Sequence, residues 1–301
     1  MKVPILSLQG EGLGFADAFG EAFEETGFAI LVDHGITVSE IHEMYLANKQ
    51  LFSHSDVELA CYRDPSAQGQ FGFFPFQTER ARDQPPEKAD LKRFVHIFRP
   101  GEYPNIWPNQ HVPDYQGIME HMFRRLDPLA YRLLRALDTY LDHQEDELYN
   151  MAKGGRTLFR SLHYPAVTEN PGNAVRSSSH TDINLITLLI AATASGLKVM
   201  NRKGEWFPVN EVPGSIVVNV GDMLQMFTAR RSDRRLISTV HAVDNDDLSR
   251  ERFSAPFFVH PRAECVLDEE TGYTARQFLD YRLVEIGLKP GDLTQMVRPP
   301  I

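Results

Sequence analysis

The sequence predicts a mainly β protein with flanking helices. In the second half of the chain, short apolar or alternating runs follow one another, and turn sequences such as Pro213-Gly214 separate them. Short strands at this spacing are typical of an antiparallel sandwich or barrel. Longer segments with apolar residues at helical spacing lie on both sides of this region and predict helices. The predicted strands occupy 157–164, 174–180, 185–190, 197–200, 206–209, 215–220, 223–228, 236–243 and 252–259.

The N-terminal region predicts short strands and helices in alternation. A short apolar run is expected to form a strand where a turn sequence ends it, as Asp33-His34-Gly35 does. Apolar residues at helical spacing predict the helices, and Ser39 is expected to cap the second one. The predicted elements are a strand at 3–7, a helix at 12–26, a strand at 28–32 and a helix at 38–53.

The segment 64–90 is rich in Gly, Pro, Gln and charged residues and is expected to form a loop whose aromatic side chains line a cleft. No obvious linker separates the N-terminal helices from the β part. We therefore expect residues 1–110 to pack on a core formed by residues 111–301, without folding as an independent unit. Further helices are predicted over 114–141, 144–152 and 274–287.

Composition and charge restrict the class of protein. The net charge of −10 disfavours a nucleic-acid substrate, because a nucleic-acid footprint is basic. Cys61 and Cys265 do not form a disulfide framework or a thiolate metal site, and we expect both to be reduced. The N-terminus lacks the apolar core of a signal peptide, and no apolar run is long enough to span a membrane. We expect a cytoplasmic protein without membrane insertion, and no obligate protein partner is evident.

Two histidines and a carboxylate carry the main chemical signal. His180 and Asp182 are two residues apart, so in an extended strand both point to the same face. His241 can reach the same ion from another strand. Two histidines and one carboxylate are the ligand set of a mononuclear non-haem Fe(II) site, and this set leaves about three of six octahedral positions open.

Arg252 and Ser254 follow this set and predict a carboxylate clamp. The guanidinium of Arg252 offers two parallel donors that fit a carboxylate. Ser254, two residues on, points to the same face of its strand and adds a hydroxyl. A metal triad together with a carboxylate clamp indicates an oxygenase that binds a 2-oxo acid.

These residues lie within a longer series of motifs. The chain resembles the isopenicillin N synthase-like branch of the Fe(II)/2-oxoglutarate dioxygenases. Each motif alone is weakly specific, but together, in this order and spacing, they are highly specific. The motifs are Val3-Pro4-Ile5-Leu6-Ser7, Gly27-Phe28, His34-Gly35-Ile36, His163-Tyr164-Pro165, His180-Thr181-Asp182, Gly196-Leu197-Lys198-Val199, Gly204-Glu205-Trp206, Val218-Asn219-Val220-Gly221-Asp222, His241 and Arg252-Phe253-Ser254.

The resemblance implies a fold and a reaction. The fold is a double-stranded β-helix (jelly roll) core with N-terminal and C-terminal helices. The resemblance implies Fe(II), 2-oxoglutarate and O2 as cofactors. It assigns Arg252 and Ser254 to the distal carboxylate of 2-oxoglutarate, with Tyr164 as an additional contact. The expected reaction is an oxidation, by default a hydroxylation, that releases succinate and CO2.

The substrate side is predicted from fewer residues. Arg160 and the arginines of the connection before His241, in particular Arg230 and Arg231, are candidates to bind an anionic substrate. Phe74 and Phe76, together with the 274–287 helix, are expected to supply the rest of the wall. A solvated charged loop is an equally simple interpretation of the arginine-rich connection. We expect structural roles for Asn219, Asp222 and His163.

Two alternative functions remain open at this point. An iron-dependent oxidase of the isopenicillin N synthase type uses iron and O2 without 2-oxoglutarate. A zinc-dependent hydrolase or a non-enzymatic metal-binding barrel can carry the same three ligands. Arg252 and Ser254 argue against this second class, because a hydrolase needs no clamp for a 2-oxo acid. The sequence does not identify the prime substrate, the outcome of the oxidation or the oligomeric state.

Overall fold

The computed structural model of the protein describes residues 2–9, 13–64, 70–79, 89–167, 174–210, 212–244 and 247–300. The strands are β1 Ile5–Ser7, β2 Phe28–Val32, β3 Gly72–Phe74, β4 Arg93–Phe98, β5 Leu158–Tyr164, β6 Ser177–His180, β7 Ile186–Ile190, β8 Leu197–Met200, β9 Trp206–Pro208, β10 Ile216–Val220, β11 His241–Val243, β12 Arg252–Val259, β13 Val266–Asp268 and β14 Tyr273–Thr274. The helices are α1 Leu13–Glu25, α2 Val38–Leu51, α3 Asp56–Leu59, α4 Tyr115–Leu141, α5 Glu147–Ala152, α6 Asp222–Thr228 and α7 Ala275–Glu285.

Two sheets form the β part of the molecule. The larger sheet has the order β1-β2-β10-β7-β12-β5-β4-β3, and the smaller sheet has the order β6-β11-β8-β9. Except for the parallel pair β1–β2, the neighbouring strands of both sheets run antiparallel. The short strands β13 and β14 form a separate pair. Two sheets flanked by helices agree with the fold class predicted from the sequence.

The long helix α4 buries its apolar stripe in the main core. Its buried side chains recur three or four residues apart, which is the spacing of one helix face. The ring of Phe123 contacts the ring of Phe257 on β12, with 4.9 Å between their centroids. The predicted amphipathic helix over 114–141 is therefore confirmed, and it packs on the outside of the larger sheet. The stripe includes Met119, Met122, Leu126, Leu129, Leu133 and Leu137.

Apolar side chains also fill the space between the two sheets. One cluster joins Phe74, Phe94, Leu162 and Tyr164 of the larger sheet to Val243 of the smaller sheet. A second cluster joins β2 and β10 of the larger sheet to β8 of the smaller one. These two clusters hold the sheets face to face, so side chains at the ends of β6 and β11 are placed at the edge of a packed interior.

Three local predictions are wrong for identifiable reasons. Residues 223–228 belong to a helix, for which Gly221 is an extended N-cap, because their short apolar run is compatible with a helix as well as with a strand. The cap of α2 is Thr37, whose hydroxyl accepts a hydrogen bond from the backbone N–H of Glu40 while the Glu40 carboxylate binds the backbone N–H of Thr37. The segment 64–90 contains a strand, β3, which pairs with β4.

The structure adds the strand β4 to those predicted from the sequence, shortens another strand and leaves the prediction about domains untested. The strand β4 was not predicted, and β11 covers only the last part of the predicted strand 236–243. Cys61 and Cys265 are free thiols. Within the described ranges, no helix combines the length and the apolar character that crossing a bilayer requires. That residues 1–110 do not fold independently stays a prediction, with which the pairing of β2 and β10 agrees.

Candidate metal centre and adjoining cavity

The smaller sheet brings the three predicted metal ligands together. His180 ends β6 and His241 begins β11, and the two residues lie opposite each other in this antiparallel pair. Asp182 lies two residues beyond β6. Its Oδ1 is 3.7 Å from Nε2 of His180 and 3.6 Å from Nε2 of His241. Ligand atoms at right angles around one ion lie about 3 Å apart, so this spacing is close to that of a metal centre.

Backbone carbonyls orient both histidine rings. Nδ1 of His180 lies 2.8 Å from the carbonyl oxygen of Ser178, and Nδ1 of His241 lies 3.0 Å from that of Thr239. Because a carbonyl can only accept, each Nδ1 carries the proton and each Nε2 keeps its lone pair. This arrangement points both lone pairs toward the carboxylate and fixes the ring tautomer. Histidines that bind metals commonly donate their other ring N–H in this way.

Asp182 has one oxygen held by the protein and one directed at the histidines. Its Oδ2 accepts hydrogen bonds from the Thr187 hydroxyl at 2.5 Å and from the Asn219 amide at 2.8 Å. Burial by itself raises the pKa of this carboxyl, but the charges of His241 and His180 and the two hydrogen bonds outweigh it and lower the pKa. The carboxylate is therefore ionised and offers Oδ1 to a metal ion.

Asn219 has a role that the sequence analysis missed. We expected it to serve only the turn and barrel structure, but its amide holds a metal ligand in place. The available signal was a polar residue within the otherwise apolar strand β10, where it is 3% exposed. A buried amide in such a strand must find partners, because an unpaired one is costly.

The donor set fits Fe(II). Burial and then the neighbouring His241 lower the pKa of His180 to about 4, so the His180 imidazole is neutral and able to bind metal at pH 7. Two imidazole nitrogens and one carboxylate oxygen form the facial set of non-haem iron oxygenases, which leaves positions open for other ligands. The three residues, with ligand atoms within 4.8 Å of one another, would hold the ion.

The predicted carboxylate clamp lies on β5 and β12. Arg252 is completely buried and lies opposite Tyr164, and its guanidinium carbon is 5.2 Å from the centre of the Tyr164 ring. Its Nε donates to the carbonyl oxygen of Ala194 at 3.0 Å. Ser254 is also buried and lies two residues farther along β12, opposite Leu162. The structure thus brings these three predicted residues together.

A cavity of about 500 Å³ adjoins the metal centre. His180 and Asp182 contribute to its wall, whereas Arg252, Ser254 and Tyr164 are not among its described lining residues. The last helix, α7, supplies part of the wall, as expected for the 274–287 segment. The described lining residues are Gln70, Glu79, Asp90, Lys92, His96, Phe98, Arg156, Leu158, Arg160, Ser179, His180, Thr181, Asp182, Ile183, Asn184, Val240, Phe258, His260, Leu279, Arg282, Leu283, Ile286 and Leu288.

A buried charge network occupies one side of this cavity. The Lys92 ammonium lies 2.7 Å from a carboxylate oxygen of Glu79 and 2.8 Å from one of Asp90. The predicted substrate ligand Arg160 lines the cavity, but its guanidinium binds Glu79 at 3.0 Å, and its Nε donates to His96. Two cations and two carboxylates thus compensate one another, so the charge of Arg160 is neutralised within the protein.

The two phenylalanines predicted for the wall lie elsewhere in the described structure. Phe74 packs behind the wall, where its ring stacks on Phe94 at a centroid distance of 4.5 Å. Phe76 is partly exposed, and its backbone N–H donates to Asp56. Phe98 and Phe258 are the phenylalanines that line the cavity. The presence of phenylalanines in the sequence does not show which of them face the cavity.

Arg230 and Arg231 lie at the end of α6 and bind acidic residues. Arg230 forms ion pairs with Glu270 and, at 3.4 Å, with Asp268. Arg231 pairs with Glu269 and, at 2.5 Å, with Glu147 on α5. Neither arginine is among the described residues of the cavity wall. Their placement does not support substrate contact, because neighbouring carboxylates on the β13–β14 hairpin and α5 attract them.

Comparisons with known proteins agree with this geometry. A model of the 2OG-Fe(II) oxygenase superfamily matches residues 156–261, and a model of the N-terminal region of non-haem dioxygenases in morphine synthesis matches residues 3–110. The 2-oxoglutarate-Fe(II) type oxidoreductase ppzD of Metarhizium rileyi is 29% identical over 270 residues, which are 82% of this chain and 75% of that protein.

Solved structures show the same fold. A 2OG-Fe(II) oxygenase family protein from Caulobacter crescentus superposes with a TM-score of 0.81 at 30% identity, over 94% of this chain and 99% of that chain. A full-length protein of Neurospora crassa, crystallised in complex with alpha-KG, superposes with a TM-score of 0.79 at 22% identity, over 94% and 95% of the two chains. The predicted double-stranded β-helix with flanking helices is thereby confirmed.

Proposed function

The chain belongs to the 2OG-Fe(II) oxygenase superfamily, and we propose that it oxidises, by default through hydroxylation, a small or medium-sized anionic metabolite with release of succinate and CO2. It is an oxidoreductase whose cofactors are Fe(II), held by His180, Asp182 and His241, and the cosubstrate 2-oxoglutarate. When bound, this pair supplies the activation of O2 that the side chains of a protein cannot provide.

The protein's own contribution is to hold the donors and to shape the site. Thr187 and Asn219 fix Asp182 so that one oxygen faces the ion, and backbone carbonyls fix the two imidazoles. The apolar part of the cavity wall, which includes Phe258 and Leu279, excludes water from the space beside the metal ligands. These features set the orientation of a substrate relative to the iron.

We further propose that Arg252, Ser254 and Tyr164 bind the distal carboxylate of 2-oxoglutarate. Arg252 is completely buried on its β-strand beside Tyr164, and a guanidinium offers two parallel donors that fit a carboxylate. Tyr164 also lies close enough to Lys92 to affect the Lys92 pKa, although burial is the largest influence on that pKa. Because Lys92 lines the cavity, Tyr164 and the clamp lie near the cavity wall.

One observation carries the substrate proposal. Two of the metal ligands line a cavity of about 500 Å³, a volume typical of sites for small organic molecules. Among the described residues of the wall, the cationic side chains outnumber the carboxylates once Asp182, which belongs to the metal site, is set aside. The charged wall residues are the cations Lys92, Arg156, Arg160 and Arg282 and the carboxylates Glu79, Asp90 and Asp182. An anionic substrate matches this excess.

An anaerobic titration of the Fe(II)-loaded protein with 2-oxoglutarate tests the cosubstrate and its clamp. We expect the weak visible charge-transfer band of the iron chelate to appear. In Arg252→Leu, we expect the same iron content but a requirement for about 100-fold more 2-oxoglutarate, because a buried charged contact is lost. Arg235→Leu, which changes an exposed arginine, serves as the control and should behave as the wild type.

The outcomes separate the competing functions. An unchanged 2-oxoglutarate requirement in Arg252→Leu would refute the clamp and leave the metal site intact. Iron loading without the band in the wild type would favour the oxidase that does not use 2-oxoglutarate. A band together with succinate formation in the presence of O2 would support the proposal.

A further inference from the structure

Arg156 differs from the other cationic residues of the cavity wall. Lys92 and Arg160 pair with Glu79, and Arg282 lies 3.0 Å from Glu285 and 3.6 Å from Asp222. The side chain of Arg156 forms no hydrogen bond or ion pair with any residue of the described ranges, and its Nε is a buried donor without an acceptor there. It is therefore the wall cation whose charge those residues leave uncompensated.

Aromatic rings hold the guanidinium of Arg156 in place. Its central carbon lies 4.7 Å from the ring centre of Phe98, 5.3 Å from that of Phe71 and 6.0 Å from that of Tyr103. Contacts of this kind cover the flat faces of the group and leave its N–H edge available for an acceptor. Burial lowers the pKa of Arg156 and outweighs the opposing influences of Tyr103 and Asp280.

Two carboxylates, those of Asp280 and Glu264, line pockets that Arg156 also lines, and each of them pairs with another cation. Asp280 lines a small neighbouring pocket together with Arg156, but its carboxylate binds the Lys289 ammonium at 2.8 Å. His260, which also lines the main cavity, has a buried Nδ1 without a described partner. Burial and then the charge of Arg156 lower the pKa of His260 to about 4, so this imidazole is neutral at pH 7. Both Arg156 and His260 can bind a ligand that enters the cavity.

Arg156 also borders a second pocket, of about 360 Å³, on the protein surface. This pocket is lined in part by Phe71, Tyr103, Arg262 and Arg276. Arg262 binds Glu264 at 2.7 Å, whereas the side chain of Arg276 is exposed and has no partner among the residues that the structure describes. An anion that approaches this pocket meets a positive potential, which accelerates encounter. Arg156 thus lines both the surface pocket and the cavity beside the three metal ligands.

We propose that Arg156 is the specificity-determining residue of this enzyme and binds the anionic group, a carboxylate or a phosphate, of the prime substrate. The proposal rests on the proposed oxygenase function and identifies the group that the substrate must carry. The substrate then spans the cavity from Arg156 to the metal centre, with the carbon to be oxidised at the metal end. His260 supplies a neutral hydrogen-bonding group along this path.

Matched ligands test the proposal on the anaerobic complex of the enzyme with Fe(II) and 2-oxoglutarate. Calorimetry would compare phenylacetic and hexanoic acids with their amides, and with benzyl and hexyl phosphates. We expect the wild type to bind at least one type of anion about tenfold or more tightly than the amide of the same skeleton. The carboxylate and phosphate arms identify which anion is preferred.

Substitutions assign this preference to one residue. In Arg156→Gln the preference should disappear, and in Arg156→Lys it should be partly retained, while both variants still form the visible band with 2-oxoglutarate. Arg235→Gln removes an exposed arginine outside the described cavity wall and should keep the full preference. Equal binding of anions and amides by the wild type, including undetectable binding of both, would overturn the proposal.

Persistence of the preference in Arg156→Gln would also overturn it. Failure of the wild type to form the band with 2-oxoglutarate would instead contradict the proposed function itself. The two failures are therefore distinguishable, because the band reports on the cosubstrate and the acid-to-amide ratio reports on Arg156.

Discussion

The metal centre and the cavity wall beside it are assembled in different ways. The metal ligands come from two paired strands, and each is held by one or two short hydrogen bonds from nearby backbone or side chains. The wall takes side chains from segments that are far apart in the chain, including residues near Glu79, Arg156 and Leu283. The reactive part of the site therefore depends on the register of one strand pair and on a few short hydrogen bonds, whereas its selectivity depends on how several distant segments pack together.

Removal of a metal ligand should have the largest effect. We expect His241→Ala to lose iron binding and turnover, because two remaining ligands do not hold the ion in a defined geometry. Iron content after anaerobic loading and succinate formation are the measurements. His42→Ala, on an exposed position of α2, is the matched control. Full turnover by His241→Ala would show that His241 is not a metal ligand. It would also contradict the assignment of the metal centre to the paired strands β6 and β11.

Substitution within the charge network should affect stability more than iron binding. In Glu79→Gln, Lys92 and Arg160 lose a shared buried partner, and we expect a loss of about 3–5 kcal/mol in the free energy of unfolding at pH 7. Chemical denaturation measures this loss. Glu269→Gln, which alters an exposed acid of the β13–β14 hairpin, should show little change.

The difference in the free energy of unfolding between the wild type and Glu79→Gln should depend on pH, because the pKa of Glu79 differs between the folded and unfolded states. Burial by itself raises that pKa, but the charges of Arg160 and Lys92 outweigh burial, so the folded pKa is lower than the unfolded value. The unfolded chain therefore takes up the proton first, and stability rises with pH. The contribution of Glu79 should be complete above the unfolded pKa of about 4.3 and should decline as the pH falls below it. A pH-independent difference between wild type and Glu79→Gln would contradict this account.

Loss of support behind a ligand should have a smaller effect than loss of the ligand. Asn219→Ala removes one of two hydrogen bonds to Asp182 Oδ2, and we expect about 10–100-fold weaker iron binding. Competition with a chelator measures the affinity. Asn210→Ala, at an exposed position, is the control. Unchanged affinity would mean that Thr187 alone is sufficient to orient the carboxylate.

The smallest effect is expected at the arginines outside the described wall. The double variant Arg230→Gln/Arg231→Gln removes ion pairs with the exposed Glu269 and Glu270 as well as those with Asp268 and Glu147, and exposed pairs contribute little to stability. Binding of the preferred anion and formation of the band with 2-oxoglutarate should be as in the wild type. A tenfold loss of anion binding in this variant, with no loss in Arg156→Gln, would indicate that the arginine-rich connection, and not Arg156, binds the substrate.

Some parts of the fold and of the site could be predicted from the sequence alone. The pair His180 and Asp182 was accessible, because residues two apart in an extended segment share a face. The fold class was accessible from the series of short strands. The helix α6 was misassigned because a short apolar run has no decisive period.

The wall was less accessible for a physical reason. Nothing in the sequence near Arg160 indicates that Glu79 neutralises it, since this pair depends on how β4 and β5 pack against a distant segment. The role proposed for Arg156 could not be predicted for the same reason. What distinguishes Arg156 from the other cations of the wall is that its side chain has no ion pair within the described ranges, and the sequence does not show this. Asn219 was the exception, since a polar residue in an apolar strand was a visible signal.

The position of α7 has a consequence for how such enzymes diverge. This helix contributes Leu279, Arg282 and Leu283 to the cavity but none of the three metal ligands. Substitutions there can reshape the substrate space while the iron site keeps its sequence and its geometry. Substrate preference can therefore change in this architecture through substitutions in α7 that leave the three metal ligands unaltered.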